Sequence, residues 1–328
     1  RNPYFHPQHY PTEGDPGDAE QGLLEDAGKP MPFIDKVIYS LEKEDIPYWN
    51  KFLQGYYDVS GVTSDSFDQA IQFGSQGDAV LTQLMEYKGI KLVTAVQTST
   101  FYIGFNMLDP VVGGDNERAR LLRRAIAIAV DYVVFISIFA NGRGIAAQGA
   151  IPPGIFGHVE GQAGINPYVY EWRDGRAQRK PIYEAKRLLV RAGYPNGRDA
   201  ETGKPLLIHL DITGGGPEDK AIFNWLRKQF RKIDLELVIR NTDYNRFQEK
   251  MRKGNAQLYQ WGWYADYPDP ENFLFLLYGP ESPLVCQCDG SNNSNYASEE
   301  YDELFRKVRV LPPGPRRDEL VARMVELY

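Results

Sequence analysis

Trp261-Gly262-Trp263-Tyr264-Ala265-Asp266-Tyr267-Pro268-Asp269-Pro270-Glu271-Asn272-Phe273-Leu274 is the stretch whose reading decides the fold. Residues Leu258 to Tyr264 have the character of a buried strand, and two prolines then end it abruptly, because proline cannot donate to a ladder. Wide aromatic faces and a carboxylate therefore meet where a strand stops. That combination suits a ligand with a cationic end and a backbone that needs flat apolar walls.

Upstream of this stretch, strand and helix patterns alternate. Leu206 to Thr213 places Ile208, Leu210 and Ile212 on one side of a strand. Asp219 to Ile233 carries Ile222, Leu226, Phe230 and Ile233 on one helical stripe. A strand over Leu235 to Asn241 and a helix over Tyr244 to Arg252 follow. Further back, Tyr183 to Ala192 reads as a helix that Gly193 ends, and Phe101 to Met107 alternates strictly as a strand. The spacing predicts one long helix from about Glu117 to Ala140, stopped by Asn141-Gly142. Towards the amino terminus, Asp35 to Leu41 and Tyr57 to Val59 read as strands. Ile46 to Gln54, Ser66 to Phe73 and Gln76 to Lys88 read as helices, and Ser298 to Val308 and Arg316 to Leu327 as the closing ones. Strands alternating with helices predict α/β layering.

The chain has 328 residues, more than one hydrophobic core usually serves, so two domains or one large one are expected. With 37 basic against 44 acidic residues the formal net charge is −7, which argues against a nucleic-acid phosphate track. The 21 Tyr, 16 Phe and 5 Trp suit a polar organic ligand, and equally a wet β-rich core. The most apolar run, Ala125 to Phe139, is interrupted by Asp131 and falls short of the ~20 residues of a membrane span. Cys286 and Cys288 are separated by one residue; bridging them closes a very small ring, so two unpaired or locally oxidised thiols on a loop are expected. No signal segment is visible, and both ends read as cut.

Asp266, flanked by Trp263 and Tyr267, can pair with an ammonium group, and burial would strengthen the pairing. The same residue can equally be a turn carboxylate. Asp269 sits between two prolines and reads as a turn residue. Asp266 and Asp269 could also form the acid and base of a hydrolase, although no nucleophile elbow or metal motif supports that. Gly214-Gly215-Gly216 lacks the Lys-Ser/Thr of a phosphate loop. His6 and His9 show no further ligands for a metal, and no cofactor is expected.

Several blocks, in order, resemble the family 5 extracellular solute-binding proteins, the peptide, dipeptide and nickel receptors of ABC importers. Arg1-Asn2-Pro3-Tyr4 resembles the family's Arg-Asn-Pro-x-Tyr, and Phe33 to Val37 its Leu-Asp-Lys-Ile-Val strand. Phe52 to Val59 is similar to its Gly-Glu-Ile-Asp block, and Tyr102 to Asn106 to its Tyr-Leu-x-Phe-Asn strand. Leu122 to Asp131 resembles Val-Arg-Gln-Ala-Ile…Ala-Ile-Asp, and Gly142-Arg143-Gly144 with Ile151 to Gly154 resembles the loop beyond it. Ala185 to Gly197 matches Ala-x-x-Leu-Leu-x-x-Ala-Gly-Tyr-x-x-Gly, and the opening stretch closely resembles a signature of the same family. Tyr264 stands where some peptide receptors carry a disulfide cysteine, and Tyr132 where an Arg often follows the Asp.

The resemblance implies an α/β, type II periplasmic-binding-protein-like architecture of two lobes with mixed sheets flanked by helices, incomplete here at both ends. Residues 1–97 would be the returning part of the first lobe and residues 98–328 the second lobe. It implies a binding protein rather than an enzyme, taking peptides into an interlobe cleft and passing them to the transmembrane subunits of a permease. A metal chelate, an opine or an oligosaccharide is the alternative ligand. Asp266 stands where peptide-binding members hold the ligand's terminal ammonium, and Trp263 fits the aromatic wall beside it. Tyr264, Tyr267, Trp261 and Asn106 complete the expected ligand-binding set. The expected setting is periplasmic, or extracellular with a lipid anchor, as a monomer.

Overall fold

The computed structural model describes residues 6–42, 44–73, 79–214 and 217–327. They fall into two compact units, Arg1–Gly61 and Val62–Tyr328.

In the first unit a short ladder pairs Gln8–His9 with Pro30–Met31, and a helix runs over Asp45–Leu53 with Trp49 buried. The strand expected over Asp35 to Leu41 does not form, and Tyr39 and Leu41 are 93% and 89% exposed. Tyr57 to Val59 is likewise no strand. Alternation supplies an apolar face, but a strand also needs an edge to hydrogen-bond. Among the described residues nothing pairs with either segment.

The second unit is built on a four-stranded mixed sheet. Its strands are β1 (Ser99–Phe105), β2 (Leu207–Thr213), β3 (Glu236–Thr242) and β4 (Leu258–Tyr264), in spatial order β1-β4-β2-β3. β4 runs antiparallel to β1 and parallel to β2, which runs parallel to β3. One face carries Ile208, Leu210 and Leu258. These pack against α1 (Glu117–Ala129), α3 (Ile182–Arg191) and α4 (Pro217–Arg231). The other face is covered by α5 (Tyr244–Arg252), which buries Phe247 and Met251 against Tyr259. Lys250 reaches down from α5 to Asp211, a carboxylate 1% exposed within β2. A buried charge of this kind needs a partner, and Lys250 supplies it.

The single helix expected from Glu117 to Ala140 is two, α1 and α2 (Tyr132–Phe139). Val130 leaves the helical region, and the Asp131 side chain accepts from the Val134 amide at 3.3 Å as a new N-cap. Strands Ile71–Phe73 and Ala79–Leu81 stand where helices were expected, so among the described residues there only Phe67–Ala70 and Gln83–Tyr87 are helical, and the start of the second expected helix, Gln76 to Asp78, lies outside the described residues. The short apolar runs fit either state, and cross-strand pairing decides. A hairpin of Tyr170–Arg173 with Arg176–Arg179 was not anticipated; Asp174 and Gly175 form its turn at positive φ.

β1 and β4 each carry one glycine facing a ring. Gly104 lies opposite Tyr259, and Gly262 opposite Phe101, and a Cβ built on either would run into that ring. The neighbours differ. Tyr259 is 2% exposed and enclosed, whereas Phe101 is 58% exposed and free to turn away. Gly104→Ala should therefore cost about 1–3 kcal/mol through overpacking, while Gly262→Ala should cost well under ~1 kcal/mol by the same reasoning. Urea midpoints of the two variants test this, and equal losses would contradict it.

Candidate functional site

The end of β4 is held by residues that follow it. The ladder with β1 places Trp261 opposite Tyr102, Trp263 opposite Thr100 and Tyr264 opposite Ser99. It continues one step past the strand, where the Ala265 amide donates to the Thr98 carbonyl at 2.9 Å. Beyond it, Pro270 begins a one-turn helix, Glu271–Leu274, whose Phe273 and Leu274 sink into a second core with Tyr301, Phe305 and Met324. That core is closed by α6 (Glu299–Val308) and α7 (Pro315–Leu327).

Asn272 organises the site. Its side chain is 3% exposed, and its Oδ1 accepts from Trp263 Nε1 at 3.1 Å and from the Asp266 amide at 2.8 Å. Its Nδ2 donates to Asp266 Oδ2 at 3.4 Å. One buried amide therefore fixes the indole edge and the carboxylate-bearing backbone together. Phe275 packs edge-on against Trp263, with centroids 5.0 Å apart at 69°. The Asp266 carboxylate is exposed, and among the described residues it has no ion-pair partner.

Asp269 is engaged elsewhere. Arg317, 5% exposed, donates through Nη1 to Asp269 Oδ2 at 2.8 Å and through Nη2 to Oδ1 at 2.6 Å. Its Nε donates to the Val308 carbonyl at 3.0 Å. Asp269 Oδ1 also accepts from the Glu271 amide at 2.8 Å. Burial pushes the Asp269 carboxyl up, but the Arg317 hydrogen bonds and the Glu271 amide outweigh it and hold the group below the usual carboxylate range. A carboxylate gripped on both oxygens is a poor general acid or base, so the pairing of Asp266 with Asp269 as a hydrolase dyad has no geometric support.

The other candidate residues disperse. Alternation along β4 turns Tyr264 to the face opposite Trp263, where its ring meets Phe101 edge-on at 5.4 Å. Trp261 shares the face of Trp263 but lies further down the strand, against Phe247 of α5 at 5.0 Å. Tyr267 stays near Asp266 and donates its hydroxyl to Glu271. That hydrogen bond, with some burial, raises the Tyr267 phenol above its ordinary value. Asn106 is not brought to the site. It lies just past Phe105, at the end of β1 that pairs with Leu258 rather than with Tyr264. There it is 3% exposed and donates to the Gly254 and Ala256 carbonyls at 2.9 and 2.8 Å, while Asn295 donates to it at 3.0 Å. The structure makes it a clamp between the start of β4 and the Asn292–Asn295 turn.

Sequence reasoning passed over Asn272 and Arg317. Asn272 had a signal, being an amide beside Phe273 and Leu274 in a run about to be buried, where a polar side chain must find partners. Arg317 had none, because its partner lies 48 residues earlier. Among the described residues no group of three or more His, Cys, Asp or Glu is placed to hold a metal, and no helix is long and apolar enough to cross a membrane.

The family described as Bacterial extracellular solute-binding proteins, family 5 Middle matches residues 1–283. Heme-binding protein A of Haemophilus influenzae is 26% identical over 226 residues, 69% of this chain and 35% of that protein. The periplasmic oligopeptide-binding protein OppA of Salmonella typhimurium is 23% identical over 202 residues, 62% of this chain and 33% of that protein. Among solved structures, the ABC transporter-associated periplasmic binding protein DppA from Helicobacter pylori, in complex with the peptide STSA, superposes with a TM-score of 0.64 at 19% identity. That superposition covers 92% of this chain and 51% of that one. The fold is therefore that of the type II periplasmic binding proteins, with mixed sheets flanked by helices. The chain spans about a third of the length of these curated relatives.

Proposed function

Because the chain belongs to the bacterial extracellular solute-binding proteins of family 5, we propose that it is part of a non-enzymatic receptor that captures peptides for an ABC permease. The observation that carries this is the Asn272 arrangement, which presents the exposed Asp266 carboxylate, paired with no cation among the described residues, beside the Trp263 indole. A carboxylate so placed accepts a peptide's terminal ammonium, and the indole supplies a flat wall for the first residue. Backbone hydrogen bonds along the rest of the peptide would leave side-chain choice broad. In this reading residues 98–328 are the second lobe, residues 1–97 belong to the first, and the receptor works as a monomer in the periplasm or lipid-anchored outside the cell. The relatives named for oligopeptides and the neighbour with a bound tetrapeptide support it.

A second reading, a metal chelate or other non-peptide solute, is favoured by one observation: the relative at 26% identity is named a heme-binding protein. Mass spectrometry of the solute that co-purifies with the full-length receptor separates the two. A ladder of peptides of varied sequence is the expected result. One recurring small molecule or porphyrin would overturn the peptide reading and leave the fold intact.

A further inference from the structure

Cys286 and Cys288 are joined in a disulfide, one of the outcomes the sequence left open. The bridge spans a single intervening residue, Gln287, which stands in the left-handed region at φ 54° and ψ 39° at the C-cap of the short helix Pro283–Cys286. That conformation crowds a side chain with a Cβ, and Gln287 is the one residue other than Gly, Asn or Asp that adopts it among the described residues. The loop it closes is too short for the bond to restrict the unfolded chain much, so the bridge adds little to stability. The surroundings hold without it. The Asn292 amide donates to the Glu281 carbonyl at 3.1 Å, Ser282 Oγ hydrogen-bonds Asn295 at 2.7 Å, and Asn295 binds Asn106. Both ends of the loop are thereby fixed whichever way the sulfurs are bonded.

The two sulfurs are not equivalent. Cys286 is half-buried against Gly290, where a Cβ would stand 3.0 Å from its Sγ. Cys288 is exposed, and an ion pair of 2.7 Å between Arg252 and Asp289 brings a guanidinium to the residue that follows it. Exposed disulfides held in an unfavourable backbone are the exchangeable ones.

We propose that Cys286–Cys288 is a thiol-exchange site that reacts reversibly with low-molecular-weight thiols while the protein stays folded. An incoming thiolate attacks Sγ of Cys288, the Sγ–Sγ bond breaks, and Cys286 leaves as a thiolate. A mixed disulfide then stands on Cys288. A second thiolate attacks the sulfur of the small molecule and releases Cys288 as a thiolate. Two external thiols become one external disulfide, and the protein's disulfide becomes two thiols. The fixed ends of the loop keep those thiols close, so the reverse reaction proceeds through the same mixed disulfide.

The test is equilibration of the whole chain in buffers of stepped reduced and oxidised glutathione, followed by acid quench, alkylation and intact mass. The expected result is a complete change from no alkylated thiol to two, with near-ultraviolet circular dichroism unchanged throughout. A pair that opens only in denaturant would overturn the proposal. The attack site is read separately. Acid quench at partial reduction followed by alkylation and peptide fragmentation should place the glutathione adduct on Cys288 and the alkylated thiol on Cys286, and the reverse placement would contradict attack at Cys288. Gln287→Gly, which removes the left-handed penalty from the bridged form, should require a severalfold higher ratio of the square of the reduced glutathione concentration to the oxidised glutathione concentration for half-reduction. An unshifted midpoint would remove the left-handed turn as the cause.

Discussion

Replacing Arg317 by Ala should lower the folding free energy by about 3–5 kcal/mol, the range seen when one partner of a buried ion pair is removed. The guanidinium is 5% exposed and makes three hydrogen bonds, two to Asp269 and one to the Val308 carbonyl. Its loss leaves a carboxylate that is already part-buried without a cation, and a helix-end carbonyl without a donor. An exposed ion pair would give only ~0–1 kcal/mol, so the size of the loss decides whether the pair is buried in effect. A double variant, Arg317→Met with Asp269→Leu, should recover much of it, because the desolvation cost of both charges disappears together. Denaturant midpoints with unchanged slopes measure both.

The same pair sets an acid limit. The folded-state value of Asp269 is depressed, so its contribution is fully present above the unfolded carboxylate value of about 4 and fades as pH falls below that. Stability of the parent should therefore decline below pH ~4 more steeply than that of the double variant. Parallel curves would show that Asp269 titrates normally.

Asp266→Ala in the full-length receptor should weaken binding of peptides with a free amino terminus by roughly 2–5 kcal/mol, about 30-fold to several thousandfold. The magnitude again carries the argument. Asp266 is exposed in this chain, and an exposed pairing is worth under ~1 kcal/mol. A loss above ~2 kcal/mol therefore means that the ammonium and carboxylate are dehydrated together when peptide is bound. Acetylation of the peptide's amino terminus should cost the parent a similar amount and should cost Asp266→Ala almost nothing. Asn272→Leu should behave like Asp266→Ala in this comparison, since it removes the group that holds the carboxylate and the Trp263 indole in place. If Asn272→Leu weakens free and acetylated peptides equally, Asn272 is only a core residue. If the parent itself ignores acetylation, Asp266 does not bind an ammonium. Calorimetric titration reads all three cases.

Much of the second unit is legible because its patterns are local. Strand Leu258–Tyr264 and helix Tyr244–Arg252 stand where alternation and the helical stripe place them. Helix Ile182–Arg191 and strand Leu207–Thr213 lie within one residue of the expected bounds. In each, neighbouring residues alone set which face is apolar, and capping residues set the ends. Asp131 shows the limit of such reading. Its interruption of an apolar run was visible, but its function as a cap depended on where its side chain turned. Asp35 to Leu41 fails for a different reason, since half of a strand's hydrogen bonding belongs to a partner that the pattern does not contain.

The sequence alone determined the family, the α/β layering, and the placement of Asp266 beside Trp263 at the end of a strand. These follow from the order of residues over short spans. Tertiary structure alone decided which polar groups remain free to act. Asn106 and Asp269 look as available in the chain as Asp266 does, yet one is enclosed by carbonyls of residues 254 and 256 and the other is gripped by Arg317. A buried polar group takes whatever partner the packed chain brings to it, and for Asp269 and Asn106 the partners Arg317 and Asn295 come from 48 and 189 residues away, beyond any local pattern.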